Sequence, residues 1–370
     1  MRKLRGFAFP VLIGICLLVL AACGGTIAAT PIPTVTGDAK GEGFEFRYVC
    51  VNRTLLSCQV VQQFMDSVRA RTNGQIDIQL SSYPELGIRG FDMIRLLKDG
   101  SIGLGEIYSG LVGGEFPVFE AANLWGAYES VDQWFAASEA LQDDIRALVT
   151  KETSGGKIVG FNYYASNYFL SKGPLNTLAD YEGAKTRSHS TSPSDLIGPD
   201  GLGADPQTMA FADVYPALER GDLDGAVTCG SCAVGPKWFE VTDYLTGPIP
   251  GTIVETYITF SGKEWNSLPA HFQEILLEEG VLHTERAKAA ALDSDVKSEG
   301  DLVGLGMKHS NFTTEMLGIF KDAARDAVIP KWADRAGGFE SEPVQLYNTK
   351  VGPITGLYVQ PDGTVSTTVQ

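Results

Sequence analysis

Residues 202–225, LGADPQTMAFADVYPALERGDLDG, constrain the fold more than any other part of the chain. A Gly-Ala turn followed by Pro206 calls for an extended approach rather than a helix. Met209, Phe211, Val214, Tyr215 and Leu218 then recur at helical spacing. Pro216 interrupts that run and is compatible with a helix only in its first turn. After Gly221, Leu223, Ala226 and Val227 read as a short buried strand. Strand, helix, strand in this order is the unit of a parallel sheet, and ligands of such sheets lie outside the carboxyl ends of the strands. Just upstream, GAKTRSH reads as a short strand carrying one buried-looking cation, Arg187. One arginine facing one aromatic ring across a cleft can hold a small anion.

The run GAKTR, followed by LGA-P--MAFA-VY-AL--G--DG, resembles the solute-binding subunit of TRAP transporters, the tripartite ATP-independent periplasmic family of DctP-like receptors. TNGQIDIQLSSYPELG and KEWNSLPAHFQEILLEE are similar to further segments of that family, so the resemblance spans about residues 44–335. It implies an α/β fold of the periplasmic-binding-protein type, with two lobes joined by crossing hinge strands and braced by a long C-terminal helix. It also implies a receptor rather than an enzyme, without a cofactor or metal, that binds an organic acid between the lobes and delivers it to the TRAP membrane permease. Residue by residue, the resemblance places the ligand carboxylate on Arg187 and the ligand body against Phe211. The chemistry suits Arg187, because guanidinium presents a planar fork matching two carboxylate oxygens and stays charged when desolvated. An open cleft would keep Arg187 partly hydrated.

Other positions depart from the sialic-acid and ectoine receptors of that family. Asn167 and its neighbours stand where some members carry a second arginine, and Thr228 stands where some carry asparagine. A single carboxylate on an apolar or hydroxylated body therefore fits better than a polyanion. Asn52, Arg53, Glu106, Tyr108, Thr228 and Trp238 are further ligand-binding candidates, each in a loop after an expected strand.

The chain has 370 residues, 44% hydrophobic and 20% charged, enough for two domains or one large one. A formal net charge of −16 argues against nucleic acid as a partner. It also means that an anionic ligand must be held by a local cation rather than drawn in by the whole surface.

Residues 1–22 read as a lipoprotein signal peptide. Arg2, Lys3 and Arg5 form a basic start, and 7–20 an apolar run too short for a comfortable span. Leu20-Ala21-Ala22-Cys23 matches a lipobox, in which Cys23 would carry the lipid anchor; a plain signal peptide cut near Ala22 is the alternative. Residues 23–43, rich in Thr, Pro, Ala and Gly, read as a flexible tether. The expected location is extracytoplasmic, in the periplasm or at the cell surface, with membrane contact through the N-terminal lipid alone.

Cys50, Cys58, Cys229 and Cys232 lie beyond the anchor, and an oxidising compartment permits disulfides. Four thiols allow three pairings. The local ones, Cys50 with Cys58 and Cys229 with Cys232, are preferred because each pair borders an expected strand end. Zinc fits poorly with the seven-residue gap after Cys50, and CGSC lacks the context of a thioredoxin-like motif. His189, His271, His283 and His309 are scattered, without HExxH spacing, and no G-x-S-x-G elbow is present. The second functional reading is an enzyme processing a small carboxylate with Cys229 or Cys232 as nucleophile.

In chain order, strands are expected at 44–51, 76–80, 102–107, 157–164 and 253–261, and helices at 59–71, 89–98, 131–150, 263–302 and 313–335, with a long loop at 113–130. The expected division is lobe I from 44–164 plus 249–262, lobe II from 165–248, bracing helices at 263–338, and a tail at 339–370 that lacks a helical period and holds some strand.

Overall fold

The computed structural model describes residues 43–368. The signal-peptide and Cys23 expectations lie outside the described residues. Eleven strands build two sheets: β1 Phe44–Cys50, β2 Ile76–Ser82, β3 Leu104–Tyr108, β4 Lys157–Tyr164, β5 Asn167–Ser171, β6 Lys185–Ser188, β7 Asp205–Thr208, β8 Gly225–Cys229, β9 Tyr244–Thr246, β10 Val254–Phe260 and β11 Lys308–Ser310. The first sheet has the order β2-β1-β3-β10-β4 and the second β11-β9-β5-β8-β6-β7.

In the first sheet β1, β2 and β3 run parallel, and β10 runs antiparallel to both β3 and β4. Both faces are covered, which suits strands with few polar residues. Helix Leu56–Arg71 buries Val61, Phe64, Met65 and Val68 against Phe46, Tyr48, Ile76 and Ile258. On the other face, helix Val131–Glu152 buries Trp134, Phe135, Leu141 and Ile145 against Ile107, Phe161 and Tyr257. In the second sheet β7 and β8 lie parallel on either side of β6, as a strand–helix–strand unit requires. Helix Phe211–Arg220 joins them. Pro216 sits at its sixth position, past the first turn, on an exposed face where Ala212, the residue whose carbonyl its missing N–H would have met, is exposed too.

Two segments connect the sheets side by side. Ala165 and Ser166 link β4 to β5, and the stretch after β9 returns to β10. They are hydrogen-bonded together: Asn167 N donates to Thr252 Oγ1 at 3.0 Å, and Ile249 N to the Asn167 carbonyl at 2.8 Å. The 35-residue helix Ala270–Gly304 braces this junction, with Asp295 accepting from Ser166 N and Oγ at 2.7 and 2.8 Å. It also covers the open edge of β4, where Phe161 N donates to Thr284 Oγ1 at 3.0 Å. A side chain thus satisfies an edge amide that would otherwise invite pairing.

Three details differ from the sequence-based expectations. Residues 308–310 leave the bracing region and add β11 to the second sheet, parallel to β9. The helix expected at 89–98 forms only over Met93–Lys98, because Gly90 sits at φ +89° and folds its loop tightly over Tyr83 and Leu111. The tail is mainly helical and packed. Glu342–Leu346 and Gly352–Thr355 are short helices around a wider π turn, and Val344, Tyr347, Val351, Leu357 and Val359 are buried. The three segments run on from one another, and the π turn at Tyr347–Val351 shifts the buried face between them, so no single 3.6-residue period runs through the stretch. Among the described residues no helix is long and apolar enough to cross a membrane.

Candidate functional site

The carboxyl ends of strands from both sheets converge on one cavity of about 280 Å³. From the first sheet come Val51, Asn52 and Leu55 after β1, Tyr83 after β2 and Tyr108 at the end of β3. From the second come Arg187 and His189 at β6, Met209 and Phe211 after β7, and Thr228 and Cys229 at β8. Asn167 and Tyr164 line it at the crossing, and the loop after β2 adds the exposed Arg89 and Phe91 at the rim.

Arg187 is 3% exposed. Its Nε and Nη2 donate to the Met209 carbonyl at 3.3 and 3.2 Å, and Nη1 donates to the Val227 carbonyl at 3.1 Å. Three of the five guanidinium N–H groups are thereby used, leaving one on each Nη. Each of these N–H groups can donate to an oxygen of a bound carboxylate. Among the described residues no carboxylate pairs with Arg187. Burial lowers its pKa to about 10, with Tyr108 opposing, so it is cationic at neutral pH. Arg187 is more buried than an open cleft would leave it, and two backbone carbonyls take three of its N–H groups. Behind it lies Trp238, with the guanidinium carbon 5.9 Å from the ring centroid.

Phe211 opens helix Phe211–Arg220, which has Ala210 at its N-cap and no side-chain cap. Asp213 N donates to the Ala210 carbonyl at 3.1 Å, which leaves the N–H groups of Phe211 and Ala212 at the positive end of the helix. The Phe211 ring packs on Trp238 at 5.3 Å between centroids and half-shields it from the cavity.

The model of the DctP family, bacterial extracellular solute-binding protein family 7, matches residues 50–334. The chain belongs to this family. A solute-binding protein of Sulfitobacter sp. strain NAS-14.1 is 26% identical over 246 residues, which is 65% of this chain and 72% of the relative. A C4-dicarboxylate-binding periplasmic protein of Vibrio cholerae is 28% identical over 162 residues, covering 43% of this chain and under half (46%) of the relative. Among solved structures, a Bordetella pertussis extracytoplasmic solute receptor binding pyroglutamic acid matches with TM-score 0.75 at 20% identity, over 82% of this chain and 99% of that one. A Sulfitobacter TRAP periplasmic solute-binding protein with bound β-D-galacturonate matches with TM-score 0.72 at 21% identity, over 83% and 99%. These likenesses establish the two-lobe α/β fold. The family is one of solute-binding receptors, not enzymes.

Of the candidate residues of this DctP-family chain, Arg187, Phe211, Thr228, Asn167, Tyr108 and Asn52 line the cavity. Asn52 is committed locally, its Oδ1 accepting from Thr54 N at 3.0 Å and Thr54 Oγ1 at 2.9 Å. Asn167 donates its amide to the Thr252 carbonyl and so serves the crossing as well. Three candidates lie off the lining. Trp238 is fully buried behind Phe211 and Arg187. Glu106 is fully buried beneath the floor, accepting from Val51 N at 2.9 Å and from the Thr256 hydroxyl, so that it ties β3 to the end of β1 and to β10. Burial pushes its carboxyl above the usual range, although those hydrogen bonds oppose the shift. Arg53 turns outward and pairs with Glu85.

Cys50 is bonded to Cys58, and Cys229 to Cys232. Cys229 and Cys232 form part of the cavity wall with Leu55, Tyr164 and Val254. Neither sulfur is a free thiol, and the cysteine-nucleophile reading has no nucleophile. The grouping of Cys50, Cys58 and Glu106 has the compactness of a metal site but offers only one free ligand, the carboxylate.

Sequence reasoning missed His189. It stands two residues beyond Arg187, the spacing of one strand face, although β6 itself ends at Ser188. That signal was available. Its ring packs edge-on against Trp125 at 5.5 Å and Tyr108 at 6.0 Å, and its Nε2 has no hydrogen-bond partner. Burial, reinforced by the Arg187 charge, lowers its pKa to about 3. The native protein therefore holds this imidazole neutral, whereas the unfolded chain titrates it near its ordinary value of about 6.5. Stability from this group is complete above that value and is lost as pH falls toward 3, because only the unfolded chain then takes up the proton. By pH 5 the loss amounts to about 2 kcal/mol. Urea unfolding of His189→Gln at pH 7.5 and pH 5 should show a fall in stability smaller than the parent's by about that amount. An unchanged difference would count against a buried neutral His189.

Proposed function

We propose that this chain is a TRAP receptor that binds a monocarboxylate in the cavity between its two sheets and passes it to the membrane permease. The observation that carries this reading is Arg187, a buried guanidinium with no acidic partner among the described residues and with one N–H left on each Nη. Residues 44–164 with 249–262 would act as one lobe and 165–248, extended by 308–310, as the other. Closure around the paired segments at 165–167 and 249–253 would expel water and strengthen the ion pair. Val51, Leu55, Met209 and Phe211 supply an apolar wall for the ligand body, and Tyr108 and Thr228 supply hydroxyls. Several neighbours in structure were solved with acids bound, namely pyroglutamic acid, galacturonate, orotic acid, L-gulonate and malonate, and all of these carry a carboxylate. Anchoring through Cys23 belongs to the same reading on sequence alone.

The test is a thermal-shift screen of monocarboxylates, each beside its primary amide. A ligand at a hundredfold its dissociation constant adds about 2.7 kcal/mol to folding. Acids should raise the melting temperature and their amides should not. Equal shifts from acid and amide would sink the proposal.

A further inference from the structure

A second cavity, of about 400 Å³, adjoins the one just described, and the two share Phe91 and Leu111 in their walls. Its character is different. Ser190, Thr191, Ser194 and Thr208 line it, together with Glu115. Most of these hydroxyls are already engaged. Ser194 Oγ donates to the Ser190 carbonyl at 2.9 Å and lies 3.2 Å from Thr208 Oγ1, which is itself 3.3 Å from Ser188 Oγ, while Thr191 is only half-buried. Ser190 is the exception. Its side chain is 4% exposed and its Oγ has no partner, although the residue occupies the N-cap of helix Thr191–Ile197, where serine ordinarily caps. A buried hydroxyl left unpaired at a cavity wall is a hydrogen bond that a ligand can complete. Phe91, the shared partition, is 45% exposed and follows the turn at Gly90, so it lies on the surface of the cleft and not in the core.

Ser190 stands three residues past Arg187, and its backbone is extended at φ −160°. Between them the chain leaves β6 at Ser188 and bends at residues 189 and 190, which brings Ser190 to the wall of the neighbouring cavity. We propose that the second cavity is a distal subsite of the same cleft, taking the hydroxyl-bearing far end of an acid whose carboxylate sits on Arg187. The apolar middle of that ligand passes Phe91 and Leu111, and its terminal hydroxyl meets Ser190 Oγ. The ligand class is thus an ω-hydroxylated monocarboxylate. This rests on the carboxylate reading of Arg187, and the test separates the two.

Hexanoate, ω-hydroxyhexanoate and ω-aminohexanoate are titrated calorimetrically into the parent protein, Ser190→Ala, Gly114→Val and Arg187→Ala. Gly114 also lines the second cavity, and a Cβ there meets nothing nearer than Thr191 Oγ1 at 3.9 Å, so a side chain at this position starts out in open space and narrows the chamber. The parent should bind ω-hydroxyhexanoate about five-fold more tightly than hexanoate, the worth of one net hydrogen bond. Both Ser190→Ala and Gly114→Val should erase that ratio and leave hexanoate affinity unchanged. Equal binding of the two acids by the parent, a ratio that survives in both variants, or a gain confined to the ammonium analogue overturns the subsite alone. If the parent fails to bind hexanoate, or Arg187→Ala binds it undiminished, the carboxylate reading falls and the subsite falls with it.

Discussion

Replacing Arg187 with alanine should weaken binding of the cognate acid by about 2–5 kcal/mol, roughly thirty-fold to several thousand-fold. The loss is large because the variant leaves a desolvated carboxylate facing an uncharged wall. Arg187→Lys separates charge from geometry. An ammonium keeps the positive charge but cannot hold the Met209 and Val227 carbonyls and two carboxylate oxygens in one plane, so its affinity should fall between parent and alanine. The alanine variant also strips those buried carbonyls of their donor, which costs about 1–3 kcal/mol of folding stability. Circular dichroism and urea unfolding must therefore accompany the titration. The decisive comparison is between acid and amide. The parent should prefer the acid strongly, and the alanine variant should have lost that preference. An alanine variant that is folded and still prefers the acid would remove Arg187 from the site while leaving the family assignment intact.

Gly280→Ala should destabilise the fold by about 3 kcal/mol or more, at the upper end of what overpacking produces. Helix Ala270–Gly304 crosses the edge of β4 at this point, and a Cβ on Gly280 would lie 1.7 Å from the Val159 carbonyl oxygen. The contact is backbone on backbone, so no rotamer change can relieve it. Nor can the helix slide, because Thr284 receives Phe161 N and His283 Nε2 holds Asn162 Oδ1 at 2.6 Å, one turn further on. Gly300, on the same helix, has no atom within 4 Å of its would-be Cβ. Gly300→Ala should be neutral, or more stable by up to about 1 kcal/mol from helix propensity alone. Chemical denaturation of the two variants in parallel checks the prediction. Equal stability of Gly280→Ala and Gly300→Ala would mean that the helix does not rest on β4 as described.

What could be read from the sequence was set by patterns that act over a few residues. The alternation in 253–261 and the apolar run in 157–164 dictate strands wherever the chain lies, and the two β-strands observed there, Val254–Phe260 and Lys157–Tyr164, differ by at most a residue. Arg187 and Phe211 were legible for a related reason. The strand–loop–helix pattern marks the carboxyl edge of a sheet, and the resemblance of GAKTR and MAFA to the family's segments singled out these two side chains there.

Only the tertiary structure decided which loop residues face the cavity and which turn away. Asn52 and Arg53 are neighbours in one loop, yet Asn52 lines the site and Arg53 leaves it for Glu85, a partner 32 residues distant. Glu106 and Tyr108 share one strand face, but β10, arriving from far along the chain, brings Thr256 to Glu106 and covers it. Trp238 is displaced from the lining by the Phe211 ring lying over it. The three-residue strand β11 has no pattern of its own and exists because β9 offers it an edge. Periodicity records how a segment alternates between inside and outside. It does not record what arrives from elsewhere to cover the outside, and at this site that long-range packing chose the lining.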